Sequence, residues 1–185
     1  MVSALFVLED SIYKNLGIDC YDINRNALSF PLTNPVIAHP PCRSWGKLSH
    51  FCNYDHKEHQ LALWAIRVIR RCGGVLEHPA TSRLFKYYLP SPGHTDIYGG
   101  FSFCVDQFWF GHKARKKTLL YVCGCNPTDI PRYNLSFDSV LYVCGRNHNL
   151  NKSTIRKKEI SRKERSQTPV DFARYLISIA ELCKK

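Results

Sequence analysis

A thiol and a carboxyl group each follow a short apolar run in this 185-residue chain. Cys42 ends the segment 36–42, in which three apolar residues are followed by His39, Pro40 and Pro41, and Glu77 follows the apolar residues 75–76. A free thiol is a strong nucleophile, and a carboxyl group can hold or protonate a nearby nitrogen. The pair is therefore suited to attack an electrophilic ring carbon while a neighbouring ring nitrogen is hydrogen-bonded.

The spacing of these two segments predicts that they meet. Both apolar runs are strand-like, both end near proline, and an amphipathic segment at 56–71 separates them. A right-handed crossover through one helix places two such strands side by side and parallel. Ligands bind at the carboxyl edge of such sheets, so Cys42 and Glu77 are expected at one ligand-binding edge.

The remaining pattern alternates short apolar runs with helical periodicity. Strands are predicted at 4–8, 18–21, 36–38, 75–76, 118–123 and 140–143, with an extended aromatic segment at 101–110. Helices are predicted from a cap at Asp10 or Ser11 to Leu16, at 56–71, briefly at 82–88, and from Thr168-Pro169 to Leu182. This alternation is typical of an α/β sandwich.

Length and composition favour one α/β domain over 1–185, with a polar and basic insertion at 124–165 and a closing helix at 166–185. No apolar run approaches the ~20 residues of a membrane span, and the N-terminus does not look like a signal peptide. The nine cysteines are then expected as reduced thiols in the cytoplasm.

The charge of the chain points to an anionic partner. The formal net charge is +11 and the pI is about 9.3. Basic residues concentrate at 113–117 and at 152–165. Nucleic acid is the usual partner of such a surface, so DNA, or else a nucleotide, is the expected ligand.

The motifs and their order resemble those of cytosine carbon-5 DNA methyltransferases. In that family a Pro-Pro-Cys cysteine attacks carbon 6 of an extruded cytosine, which Pro40-Pro41-Cys42 matches. Its Glu-Asn-Val glutamate holds ring nitrogen 3, which Glu77-His78-Pro79 matches. Residues 110–118 are similar to its glycine-containing entry into a basic strand, and 165–169 to its late Arg-x-x-Thr segment. The chain is also similar to small proteins of tailed bacteriophages, which would place it in the host cytoplasm.

The resemblance implies a fold, a cofactor and a set of site residues. The fold is a Rossmann-like, methyltransferase-like sandwich with a mostly parallel central sheet, and the cofactor is S-adenosylmethionine, with Asp22 or Asp19 holding its ribose. Cys42 is the nucleophile, Glu77 the ring-nitrogen acid and Arg115 a third catalytic residue. The implied substrate-binding residues are His39, Pro40, Pro41, Trp45, His78, Gly111, His112, Lys113, Lys116 and Lys117, with Trp45 expected as an exposed stacking ring.

Two alternatives stay open. The family binds its cofactor at a glycine-rich turn after the first strand, whereas residues 9–13 contain no glycine. That difference favours a non-catalytic protein that binds or sequesters nucleic acid or a nucleotide, without a cofactor. The second alternative is a zinc-stabilised interaction protein, because the segment 39–59 and the pair Cys123 and Cys125 carry many ligand-type residues: His39, Cys42, His50, Cys52, His56 and His59.

Overall fold

A six-stranded sheet forms the centre of the molecule. In the computed structural model, which describes residues 1–46, 49, 56–136, 138–144 and 158–183, the strand order is β2-β1-β3-β4-β6-β5. The strands are β1 (Ser3–Leu5), β2 (Asp19–Tyr21), β3 (Val36–Ala38), β4 (Gly74–Pro79), β5 (Phe101–Asp106) and β6 (Lys117–Cys123). The sheet is mostly parallel, which confirms the predicted α/β class.

The order of the strands creates a switch point. Strands β1 to β4 are parallel, and β6 runs antiparallel to both β4 and β5. The chain leaves β1 towards β2 on one side and then returns to β3 on the other side. The carboxyl ends of β1 and β3 therefore border the crevice in which open α/β sheets bind ligands.

Helices cover both faces of the sheet. Helix α2 (His56–Cys72) packs on one face, and α1 (Ile12–Asn15) with α5 (Val170–Leu182) packs on the other. Successive strand residues alternate between the two cores: Ile37 faces α5, whereas Val36 and Ala38 face α2. Strands buried on both faces need continuous apolar runs, which explains why these strands carry no polar alternation.

Strand β4 is longer than its apolar residues predict. The sequence predicts a strand at 75–76 that ends before Glu77, but β4 continues to Pro79. Its partner β6 pairs Glu77 with Leu120 and His78 with Leu119. The antiparallel neighbour supplies the hydrogen bonds that keep these polar residues extended, so Glu77 lies within the strand and not beyond it.

The insertion at 124–165 contains small elements of its own. Strand β7 (Tyr142–Val143) pairs with β8 (Lys158–Glu159) in a separate two-stranded sheet, and α4 (Arg162–Ser166) follows. The predicted strand at 140–143 is therefore shorter and does not join the central sheet. Residues 137 and 145–157 lie outside the described part of the chain.

The remaining elements are short. Helix α3 (Leu84–Tyr87) lies within the predicted segment 82–88, and 3₁₀ turns span Ala27–Ser29, Arg43–Trp45, Gln107–Phe110 and Pro127–Asp129. The predicted extended segment 101–110 thus divides into β5 and a turn. Within the residues that the structure describes, every helix is too short or too polar to cross a membrane.

Candidate functional site

A large cleft opens at the switch point of the sheet. Its volume is about 1070 Å³, slightly above the range of roughly 300–1,000 Å³ that is common for small-molecule sites. The walls are formed by residues of the segments after β1 (6–8 and 10–13), after β3 (39–42) and in β4 (77–79), together with 111–113, 116, 144, 160, 162 and 164–170. The cleft therefore lies where the topology of the sheet predicts a ligand.

Cys42 and Glu77 both line this cleft. Strands β3 and β4 pair in parallel, with Ala38 opposite Leu76, which confirms the predicted arrangement of the two strands. Cys42 is exposed to solvent. Glu77 is mostly buried, with 13% of its side chain exposed. A free thiol and a nearly buried carboxylate thus face the same space.

Hydrogen bonds occupy both oxygens of Glu77. Its Oε2 lies 3.0 Å from His39 Nδ1, and its Oε1 accepts a 3.1 Å hydrogen bond from Gln107 Nε2. The other ring nitrogen of His39 lies 3.0 Å from the Tyr13 hydroxyl. Gln107 also donates to Thr118 Oγ1 at 3.0 Å. A connected polar network therefore runs from Tyr13 on α1 to Thr118 on β6.

Glu77 is ionised at neutral pH. Burial by itself raises the pKa of a carboxyl group. The hydrogen bond and charge of His39, followed by the charge of Lys116 and a smaller electrostatic effect of His78, outweigh burial and lower the pKa of Glu77 to about 2. Glu77 is therefore a hydrogen-bond acceptor in this structure and does not carry the proton that the predicted acid role would need.

Cys42 is held mostly as the thiol. Desolvation, followed by the negative charge of Glu77, raises the pKa of Cys42, and the charge of Lys116 opposes this. Lys116 is half-buried, and it forms no ion pair with any described residue. Lys116 thus acts electrostatically on both reactive groups at once.

This coupling predicts how Cys42 reacts with an alkylating reagent. Glu77→Gln removes a negative charge, lowers the pKa of Cys42 and increases its thiolate fraction at pH 8. Lys116→Gln has the opposite effect. A change of half a pKa unit alters the rate about threefold. Peptide mass spectrometry after timed iodoacetamide treatment measures the rate at Cys42, with the exposed Cys104 as internal control. Equal rates in the two variants would contradict the coupling.

His78 holds the Pro-Pro-Cys segment in place. Its imidazole is buried, with Nε2 3.2 Å from the Pro40 carbonyl and Nδ1 2.7 Å from Ser82 Oγ. Because a carbonyl only accepts, Nε2 carries the proton and Nδ1 accepts from the hydroxyl. Burial lowers the pKa of His78 to about 4, so the ring is neutral. Its polar atoms are engaged within the protein, although the resemblance implies a substrate contact.

Most of the other predicted substrate-binding residues line the cleft. They are His39, Pro40, Pro41, Gly111, His112, Lys113 and Lys116. His112 is buried, and its Nδ1 lies 2.7 Å from the Ala114 carbonyl. Burial lowers its pKa.

Trp45 is not the exposed ring that the sequence predicts. Only 2% of its surface is exposed, and it stacks on His59 with 3.8 Å between the ring centroids. The 3₁₀ turn at Arg43–Trp45 directs the ring into the core beside α2. Trp45 therefore contributes to packing, and it is absent from the walls of the cleft.

Arg115 and Lys117 also lie outside the cleft walls. The Arg115 guanidinium lies 4.5 Å from the centroid of the Phe108 ring and 3.5 Å from Asp106. Asp106 in turn accepts a 2.8 Å hydrogen bond from the Lys116 backbone nitrogen. These contacts connect the turn after β5 to the segment before β6, and so they help to fix the positions of Gln107 and Lys116.

The two acidic residues expected to hold a cofactor ribose are placed elsewhere. Asp22 pairs with Lys14 at 2.6 Å and caps the backbone nitrogens of Asn24 and Arg25. Asp19 begins β2, accepts from Ser3 Oγ and pairs with Arg25. Neither residue lines the cleft. The residues assigned to S-adenosylmethionine by the resemblance therefore do not fit that role.

Two basic segments meet at the mouth of the cleft. Lys113 pairs with Glu164 at 2.5 Å, although 51 residues separate them. Lys113, Lys116, Arg162 and Arg165 all line the cleft, and the acidic residues there are Asp10, Glu77 and Glu164. The basic runs that are separate in the sequence thus form one surface, here called the basic rim, which consists of these four cations.

The ligand-type residues considered for zinc do not come together in the part of the chain described. No group of three or more cysteine, histidine or acidic residues is arranged there to hold a metal ion. His39 is bonded to Tyr13 and Glu77, and His59 stacks on Trp45. His50 and Cys52 lie outside the described residues.

Comparisons with known proteins add no family. No protein-family model matches the chain, and no curated protein matches it significantly. The cleft itself therefore provides the evidence on function.

Tyr13, Gln107 and Thr118 belong to the site although the sequence analysis did not select them. Gln107 has a visible signal, because it is a lone amide in the aromatic segment 101–110. Most buried side-chain polar atoms have a hydrogen-bond partner, so a buried amide in such a segment points to polar neighbours. Tyr13 has no such signal, because a tyrosine on an amphipathic helix is also an ordinary core residue.

Proposed function

We propose that the protein recognises a cytosine-type base of nucleic acid in this cleft, in the manner of a cytosine carbon-5 methyltransferase. The observation that supports the proposal best is that Cys42 and Glu77, on neighbouring parallel strands, line one cleft at the switch point. A mostly parallel sheet is also what this hypothesis requires. Many unrelated functions share such sheets, so the residues of the site support the proposal more than the fold does.

The two reactive groups suit the two edges of such a base. Glu77 accepts hydrogen bonds, and the exocyclic amino group of cytosine donates them. Cys42 adds to ring carbon 6. In that addition the sulfur–carbon bond forms, the double bond moves to carbons 4 and 5, and the thiol proton ends on ring nitrogen 3. The new N–H then donates to the ionised Glu77.

The basic rim suits the backbone of the nucleic acid. A base inside the cleft leaves its phosphates at the mouth, where Lys113, Lys116, Arg162 and Arg165 lie. Phosphate contacts of this kind position a ligand without reading its sequence. An extruded base with its flanking phosphates therefore matches both the carboxylate inside and the cations outside.

The structure does not favour methyl transfer through the two residues that the resemblance assigns to the cofactor. Asp19 and Asp22 are engaged with neighbouring residues and lie outside the cleft walls, so neither is placed to hold S-adenosylmethionine in the cleft. This observation favours a second candidate function: a non-catalytic protein that binds the base, or a nucleotide, and sequesters it. The two functions share the recognition step.

The recognition step can be tested by binding. A duplex with cytosine opposite an abasic site should bind at least about tenfold more tightly than the same duplex with cytosine paired, because extrusion then costs less. Thymine opposite the abasic site should show no such gain. Fluorescence anisotropy at two salt concentrations measures all three. Equal affinity for unpaired cytosine and unpaired thymine would contradict the proposal.

The contribution of the basic rim to DNA binding can be measured separately. Exchanging Arg162 and Arg165 for glutamine should weaken binding to every duplex by a similar factor and reduce the salt dependence, since each cation contacts phosphate only. Exchanging Arg174 for glutamine serves as the matched control, because that exposed arginine on α5 pairs with Asp171 and lies outside the cleft walls.

A further inference from the structure

Three side chains on different elements form a directed hydrogen-bond chain along the cleft. Tyr13 from α1, His39 after β3 and Glu77 in β4 all line it. The two contacts that connect them, from Tyr13 to His39 and from His39 to Glu77, are each 3.0 Å long. Gln107 holds the second oxygen of Glu77 from the opposite side.

The chemistry of these groups fixes the direction of the chain. Glu77 is ionised and can only accept, so His39 Nδ1 must carry a proton and donate it. His39 Nε2 is then the atom that faces Tyr13. Burial, followed by the charge of Glu77, raises the pKa of Tyr13, so its hydroxyl keeps its proton and can donate to Nε2 in the tautomer that carries its proton on Nδ1.

Both nitrogens of His39 are therefore engaged within the protein. This excludes His39 from the direct substrate contact that the resemblance implies, unless the network breaks. We infer that His39 is a positioning residue that keeps Glu77 in place as a hydrogen-bond acceptor at the cleft, and that Tyr13 fixes the tautomer of His39. The inference deepens the proposed function and rests on it for its biological meaning.

The arrangement has a consequence for the kind of ligand edge that can bind. Glu77 accepts hydrogen bonds and offers none, so the complementary edge is one that presents N–H groups. The exocyclic amino group of cytosine is such a donor, whereas the corresponding position of thymine is a carbonyl. His39 thus acts on selectivity through the charge state of Glu77.

The expected titration of Glu77 depends on every charged or titratable group that faces it. They are His39, Tyr13 and Cys42 at the cleft, His78 in the same strand and Lys116 before β6. His39 is the strongest of those that favour the carboxylate, and burial is the strongest opposing cause. Removing His39 therefore leaves burial opposed by Lys116, by His78 and by the hydrogen bond from Gln107.

The test compares two substitutions at position 39. His39→Leu removes both nitrogens, whereas His39→Asn retains a donor near the place of Nδ1. Carbon-detected NMR of the glutamate carboxyl groups, with the Glu77 signal assigned by its loss in Glu77→Gln, follows the titration. We expect Glu77 in the wild type to stay ionised down to at least about pH 3.5, one unit below its ordinary range.

In His39→Leu the pKa of Glu77 should rise above its ordinary value of 4.5, and in His39→Asn it should stay below that value. Tyr13→Phe should change it less than His39→Leu does. Near-ultraviolet circular dichroism shows whether each variant is folded. A merely structural role of His39 would leave the titration unchanged, so a pKa of Glu77 below 4.5 in folded His39→Leu would overturn the inference.

The same variants separate this inference from the proposed function. If His39 positions Glu77 for cytosine, the preference for unpaired cytosine over unpaired thymine should be lost in His39→Leu and should remain within about threefold of wild type in His39→Asn. If the titration behaves as expected but the wild-type protein shows no such preference, the positioning role stands and the proposed ligand is wrong.

Discussion

Replacing Gly74 by alanine is expected to destabilise the protein by about 4 kcal/mol or more, or to prevent folding. Gly74 begins β4 with a φ of 129°, which side chains rarely allow. A Cβ atom there would lie 2.0 Å from the carbonyl oxygen of Val36 in β3. The clash is with backbone, so no rotamer change relieves it, and β3 and β4 would have to separate.

Gly93 provides the matched control. It also has a left-handed φ, of 85°, but nothing lies within 4 Å of its expected Cβ. Gly93→Ala should therefore cost only the conformational penalty of about 1–2 kcal/mol. Urea unfolding followed by circular dichroism compares the two variants. If Gly74→Ala were no less stable than Gly93→Ala, the close approach of β3 and β4 would be wrong.

The largest functional effect is expected for a covalent adduct at Cys42. A duplex in which 2-pyrimidinone replaces one cytosine offers the same ring carbon without the amino group, and it is the better electrophile. The wild-type protein should form an adduct with the mass of protein plus DNA, since the S–H adds to the ring and nothing leaves. Cys42→Ser should form none, whereas Cys104→Ser should react at the wild-type rate.

Glu77→Gln affects this reaction in two opposite ways. Loss of the charge increases the thiolate fraction of Cys42 about threefold. Loss of a charged hydrogen-bond acceptor for the new N–H costs about 1.5–3 kcal/mol, or roughly 10- to 100-fold. The second effect is larger, so the adduct should form more slowly in Glu77→Gln. Denaturing gels measure the rate, and a duplex library randomised around the modified position covers the unknown sequence preference.

Two outcomes would contradict the assignment of Cys42. One is an undiminished adduct in Cys42→Ser. The other is a wild-type protein that binds the duplex but never forms the adduct, which would favour recognition without covalent chemistry. Because Cys42 and Cys104 are both exposed, the comparison separates reactivity of the site from general thiol exposure.

The sequence predicts most strands of the central sheet, although not all of their ends, and it predicts fewer of the side-chain positions. The apolar run at 36–38 is β3 to the residue, and the parallel pairing of β3 with β4 follows from one helix of suitable length between them. These features depend on local apolar pattern and on the handedness of crossovers, which are general. Glu77 lies within a strand because β4 pairs with β6, which begins 40 residues further along. No local sequence pattern indicates such a neighbour.

Trp45 and Arg115 show why the remaining site residues were harder to predict. Each follows a motif of the expected type, but whether its side chain faces ligand or core depends on a short turn: Arg43–Trp45 for the first and the loop after Phe110 for the second. Tyr13 is the opposite case. No motif marks it, and it lines the cleft because α1 lies over the sheet.

The turn after β1 holds a large side chain in a backbone conformation that favours glycine. Phe6 occupies it with a φ of 60°, a conformation that glycine adopts most readily, and its ring packs edge-on against Trp64 of α2. A glycine could therefore replace Phe6 without altering the path of the chain, at the expense of that aromatic contact. One substitution would thus exchange a closed, well-packed turn for a more open one at the edge of the cleft.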